Sequence, residues 1–171
     1  MAERLDILDE SGKKIGISKT KKEAHLLGLW HQAAHVWIYN SKGEVLLQKR
    51  SMDKDSHPGL WDVSAAGHVS AGESPKKAAL RELYEEIGIK AKSKDLKKIF
   101  VRKKSISYPK LNWYNNEFDY VYLFKLNKLP TKLQKEEVEA IKFVPIDIFE
   151  KELRRVKTVK NMYLMAIIIL K

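Results

Sequence analysis

Three glutamates, Glu82, Glu85 and Glu86, stand at i, i+3 and i+4, a spacing that puts all three carboxylates on one face of a helix. Such a row repels itself unless cations offset it. Clustered hard oxygen donors suit Mg²⁺ or Mn²⁺ rather than zinc. Ions of that kind keep waters and bridge to phosphates, polarise a phosphoryl oxygen and neutralise a leaving group. Arg81 precedes the row, and its planar fork can orient a carboxylate. Lys49 and Arg50 lie where a strand would end near the same cleft and are candidates to pair with substrate phosphates.

The elements that must hold these groups can be read from local patterns. Ser74 is an N-cap, Pro75 fits a first helical turn, and Ala78, Leu80, Leu83 and Ile87 form an apolar stripe that Gly88 ends. Upstream, Leu5–Leu8 and Ile15–Ile17 flank the turn residues Asp9–Gly12, which predicts a β-hairpin. Residues 21–27 predict a short helix or turn. Strands are expected at 34–39, 45–49, 61–64, 98–102, 119–126 and 141–144. Residues 105–116 are expected to be a long substrate-facing loop, in which Trp113 and Tyr114, with Trp61 elsewhere, could stack on a base. Helices are expected at 146–153 and 156–170. Strands and helices mix without βαβ alternation, so the fold class is α+β with helices against a mixed sheet.

Residues 67–89, GHVSAGESPKKAALRELYEEIGI, resemble the Nudix box, G-x5-E-x7-R-E-U-x-E-E-x-G-U with U bulky and aliphatic. Gly67, Glu73, Arg81, Glu82, Leu83, Glu85, Glu86, Gly88 and Ile89 all match it. The resemblance implies an α/β/α sandwich whose loop–helix–loop holds divalent metal, Mg²⁺ or Mn²⁺, against a diphosphate. Glu82, Glu85 and Glu86 would then be metal ligands, with a further contact from the Gly67 carbonyl. Glu73 and Arg81 would brace the box, and Gly88 would end its helix. The family's general reaction is attack of water on a nucleoside diphosphate linked to another group. Its catalytic base varies, which leaves Glu85, Glu86 and Glu117 open.

Residues 3–150 are also similar to the isopentenyl-diphosphate-isomerase-like branch of that superfamily, and within it to bacterial hydrolases of unassigned substrate. The similarity rests on His25–His31, on LLQKRS with Lys54, and on Trp61 and Ala66-Gly67-His68. It implies a second metal site from His25, His31 and His68 with Glu117 and Asp119. The isomerase's cysteine position falls at Ala66. There is no cysteine anywhere, so disulfides, thiolate metal sites, a cysteine nucleophile and the isomerase's own acid are all excluded.

The 171 residues, 44% hydrophobic and 32% charged, predict a single domain. Its expected parts are an N-terminal hairpin and extension at 1–30, a core at 31–155 and a C-terminal helix at 156–171. The opening residues hold no apolar segment of a secretory signal, and MYLMAIIIL near the end is too short to span a bilayer. A cytoplasmic enzyme without a membrane is expected. The formal charge of +11 comes from dispersed lysines without an RNP, KH or zinc-finger motif. It predicts a solvated surface that attracts anionic small molecules rather than nucleic acid. The expected partner is a small diphosphate substrate, with a homodimer compatible. The competing readings are isomerisation of a prenyl diphosphate and a non-catalytic nucleotide- or RNA-binding module.

Overall fold

A computed structural model describes residues 2–54 and 57–155. The hairpin predicted at the N-terminus is present as β1 (Arg4–Leu8) and β2 (Lys14–Thr20), paired antiparallel. Thr20 caps α1 (Lys21–Leu26) through a reciprocal box: its hydroxyl accepts from Glu23 N, and Glu23 accepts from Thr20 N.

A seven-stranded sheet follows among the described residues, built from β3 (His31–Tyr39), β4 (Glu44–Arg50), β5 (Trp61–Asp62), β6 (Ala65–His68), β7 (Lys97–Tyr108), β8 (Trp113–Lys125) and β9 (Val138–Pro145). The order is β5-β4-β3-β8-β7, with β6 also on β3 and β9 also on β4. β3 and β8 run parallel and the other pairs antiparallel, so the sheet is mixed as expected.

Helix α2 (Pro75–Ile87) has the predicted bounds: Ser74 caps it, and Gly88 closes it in the left-handed conformation at φ 70°. α2 covers one face of the sheet, where Leu83, Ile87, Ala78 and Ala79 pack on Ala34, Val36 and Ile38 of β3. The alternate residues of β3 point the other way. There Trp37 joins Val45, Leu47, Val121 and Ile146, and Phe149 of α3 (Ile146–Arg155) packs against them. The result is the expected α/β/α sandwich.

One expectation is corrected. Residues 105–116 are not an open loop. They complete a long β7–β8 hairpin in the register Ser105↔Asn116 to Tyr108↔Trp113, reversing through Pro109–Leu111 and Asn112 at φ 46°. The segment is polar because it is half exposed on a sheet, a pattern that composition alone does not separate from a loop. The helix expected at 156–170 lies outside the described residues. Among those described, no helix is long and apolar enough to cross a membrane.

Candidate active site

The chemistry-bearing residues gather where β6 meets α2. Adjacent residues of a strand face opposite sides of the sheet. Gly67 pairs with Ala34 and faces α2, whereas His68 pairs with Ala33 and faces the other way. Two clusters of donors therefore meet around one short strand.

The first cluster is acidic. Glu82 and Glu86 are buried, while Glu85 is largely exposed. Arg81 reaches Glu82 Oε1 at 2.6 Å and Glu85 Oε2 at 2.9 Å through Nη1. Its Nε and Nη2 donate to Glu73 at 3.3 and 3.1 Å, and Nη2 also donates to the His68 carbonyl at 2.9 Å. Burial opposes the guanidinium's charge, yet Glu73, Glu82 and Glu85 outweigh it and raise the Arg81 pKa. Glu73 further accepts from Ser70 N at 3.1 Å, which fixes the loop before α2.

Glu86 Oε2 accepts from Ala66 N at 3.1 Å and from the buried Gln48 side chain at 3.2 Å. Burial, then the charge of Glu82, pushes the Glu86 carboxyl up to about 8. Burial raises Glu82 as well, against the pull of Arg81. Both shifts come first from burial, and repulsion between the neighbouring carboxylates adds to it. A Cβ at Gly67 would lie 2.8 Å from Glu82 Oε2 and nearer still to the rest of that carboxyl, so glycine is what lets the helix carboxylate sit against β6. The donor set is all hard oxygen, and it fits a divalent cation such as Mg²⁺ or Mn²⁺.

This cluster floors an open cleft of about 230 Å³, whose rim carries Lys21 from α1, Lys54 from the loop after β4, and Gln134 and Glu137 from the segment before β9. Lys54 forms an ion pair with Glu137. Burial and the nearby Arg50 lower its pKa, while Glu86 and Glu82 pull it back up. Lys49 and Arg50 do not line this cleft. Lys49 pairs with Glu139 at 2.8 Å, and Arg50 approaches Asp62 at 3.4 Å. The lysines that reach the cleft stand on segments brought in by the tertiary fold. Of these, only Lys54 carried a sequence signal, standing three residues beyond the LLQKRS stretch. Gln134 and Glu137 carried none.

The second cluster is the histidine group His25, His31 and His68, whose ligand atoms lie within 4.8 Å of one another. His25 and His31 are both buried. His25 Nδ1 lies 2.9 Å from the Tyr114 carbonyl, and His31 Nδ1 lies 2.9 Å from the Leu29 carbonyl. A carbonyl only accepts, so both Nδ1 atoms carry the proton and both Nε2 lone pairs point inward. That is how metal-ligating histidines are oriented. Burial first, then His68 and His31, lowers His25 to about 4 despite its Tyr114 bond, and burial lowers His68 too. His31 Nε2 is buried without a hydrogen-bond partner, and His25 Nε2 faces His68 Nε2 at 3.3 Å. This arrangement fits a divalent ion.

Glu117 completes the group, with Oε1 at 3.4 Å from His68 Nε2 and 3.7 Å from His31 Nε2. Burial alone would raise its carboxyl, but the two imidazoles and Lys104 hold it well below the usual range. Asp119 follows two residues on along the same strand. It lies one pleat deeper, opposite Ala33; Arg102 binds its Oδ2, while its Oδ1 is buried without a hydrogen-bond partner, 3.8 Å from His35 Nε2. The oxygen that sequence reasoning missed is on Asn115. Its amide donates to Glu117 Oε2 at 2.9 Å, and its Oδ1 is buried without a partner. The two-residue spacing along β8 is a signal that selects Asn115 and Asp119 equally until the register is known. Trp113 stacks on His25 at 4.1 Å, so that ring closes the histidine group and does not face a base.

Comparison with known proteins follows the same outline. A family model described as NUDIX domain matches residues 29–163. Nudix hydrolase 3 of Arabidopsis thaliana is 46% identical over 150 residues, covering 85% of this chain but 19% of that protein, so the chain spans about a fifth of its length. Isopentenyl-diphosphate Delta-isomerase 2 of Photorhabdus laumondii is 34% identical over 147 residues, covering 84% of this chain and 78% of that protein. A Deinococcus radiodurans protein of known crystal structure superposes with a TM-score of 0.66 over 90% of both chains at 21% identity, a likeness of fold.

Proposed function

This chain belongs to the NUDIX domain family, and on that premise we propose that it is a metal-dependent pyrophosphohydrolase. The substrate is a nucleoside diphosphate derivative or a related small diphosphate. The observation that carries the reading is the set Glu82, Glu85 and Glu86 on one face of α2, the first two bound by Arg81 and the third by Ala66 N and Gln48, at the floor of a cleft with Lys21 and Lys54 on its rim.

Glu82, Glu85 and Glu86 would hold Mg²⁺ or Mn²⁺, with the Gly67 carbonyl as a further contact. The bound ion supplies polarisation of a phosphoryl oxygen and neutralisation of the leaving phosphate. Lys21 and Lys54 attract and orient the anionic substrate. Arg81 and Glu73 keep the carboxylates at their posts. Water attacks phosphorus, its proton passes to Glu85 or Glu86, and the bridging P–O bond breaks to release a phosphate-bearing product. Glu117 sits outside the cleft's lining, which disfavours it as the base.

The histidine group with Glu117 is proposed as a second divalent site. Among named relatives are isopentenyl-diphosphate isomerases, but this chain has no cysteine, and Ala66 stands where the resemblance places the isomerase's acid. Isomerase activity is therefore not proposed.

The test is a panel of nucleoside di- and triphosphates, nucleotide sugars, dinucleotides, coenzyme A derivatives and prenyl diphosphates, with Mg²⁺ and with Mn²⁺. Metal-dependent release of a phosphorylated product is expected, falling on the order of 10²-fold or more in Glu85→Gln or Glu86→Gln. Turnover unchanged in both variants would overturn the assignment.

A further inference from the structure

The histidine group carries a feature that its ligands alone do not explain. Glu117 and Asp119 of β8 each stand directly opposite a cation of β7, in the register Lys104↔Glu117 and Arg102↔Asp119. Lys104 forms an ion pair with Glu117 Oε2 and stands 3.9 Å from Asp119 Oδ2, while Arg102 binds Asp119. Two carboxylates thus face two cations, and the local charge is balanced by side chains alone. The two oxygens of Glu117 are divided: Oε1 faces the histidines, and Oε2 faces Lys104 and Asn115.

We propose that Lys104 is a tethered counter-ion that competes with a divalent cation for Glu117, and so sets how tightly the histidine group binds metal. The proposal rests on the second-site reading above. A divalent ion among His25, His31, His68 and Glu117 would share one buried carboxylate with an ammonium group, and like charges repel strongly where water is scarce. Lys104 suits the part because its ammonium rides on a flexible stem and its side chain is partly exposed, at 16%. It can leave when an ion arrives. Arg102 cannot, because its fork is committed to the fully buried Asp119. Charge, rather than missing ligands, then limits occupancy.

The experiment is titration with Co²⁺ alone, followed by the visible absorption that nitrogen ligation gives. It compares the full chain with Lys104→Met, Lys104→Gln, Lys104→Arg and His68→Asn. The histidine site is defined as the binding event lost in His68→Asn. Both neutral variants are expected to bind Co²⁺ there on the order of tenfold more tightly than the parent chain, while Lys104→Arg keeps parental affinity. Equal or weaker binding by a folded neutral variant would overturn the inference and leave the histidine site standing. If neither the parent nor the neutral variants show an event that His68→Asn removes, the second site itself is wrong and the inference falls with it.

Discussion

Gly67→Ala is the sharpest probe of how β6 and α2 are joined. It adds one carbon in a region of the backbone that alanine adopts without strain, so the effect is purely steric. That carbon would overlap the Glu82 carboxyl, with the far oxygen at 2.8 Å and the other carboxyl atoms closer. Either Glu82 leaves its rotamer or α2 moves off the strand. The clash falls on the far end of a flexible side chain, so its cost sits at the low end of overpacking, about 1 kcal/mol. For a domain of this length each kcal/mol moves the melting point by about 2–4 °C, so a fall of roughly 2–4 °C is expected. The more telling measurement is the shift on adding metal. At 100 times Kd, a bound ion stabilises by about 2.7 kcal/mol, or roughly 5–11 °C on the same scale. The parent chain should show that rise with Mn²⁺, and Gly67→Ala should lose most of it, because Glu82 also loses its 2.6 Å contact with Arg81. Thermal melts with and without Mn²⁺ measure both. A variant that melts with the parent and keeps the full metal shift would refute the claim that Gly67 exists to seat Glu82.

Two further predictions concern the scaffold. The hydroxyl and amide of Thr20 outweigh what little desolvation Glu23 feels and hold its carboxyl down at about 2. A folded pKa below the unfolded one gives stability that is present above the usual value of 4.5 and is lost as pH falls toward 2. Unfolding midpoints in denaturant should therefore drop more steeply between pH 5 and 2 in the parent than in Glu23→Gln, and parallel curves would count against the box. Arg102→Met should cost up to about 3–5 kcal/mol in chemical denaturation, because fully buried Asp119 would lose the guanidinium bound to its Oδ2 and keep only the looser approaches of Lys104 at 3.9 Å and His35 at 3.8 Å. Arg102→Met together with Asp119→Asn should recover part of that loss, and a single variant as stable as the parent would show that the buried charge has another outlet.

The acidic centre was legible in the chain because it is local. A helix fixes the relation of Glu82, Glu85 and Glu86 through its own period, and Ser74, Pro75 and Gly88 mark its ends within the same short stretch. Most of the strands were legible for a similar reason, since alternation of side chains is a property of each strand alone. The rim of the cleft was not legible. Lys21, Lys54 and Glu137 come from three segments that only the tertiary fold brings together, and nothing in a segment's own sequence encodes its distance from another. The second donor group shows the same limit most clearly. The histidines could be named from the chain, but choosing Asn115 over Asp119 as the neighbour of Glu117 required the register of β8 on β3 and β7. Both residues share a face and a two-residue step, so only pairing across the sheet decides which one donates to Glu117 and which one is claimed by Arg102. Local periodicity is written in the order of residues, whereas proximity between strands is settled by the packing of the whole fold.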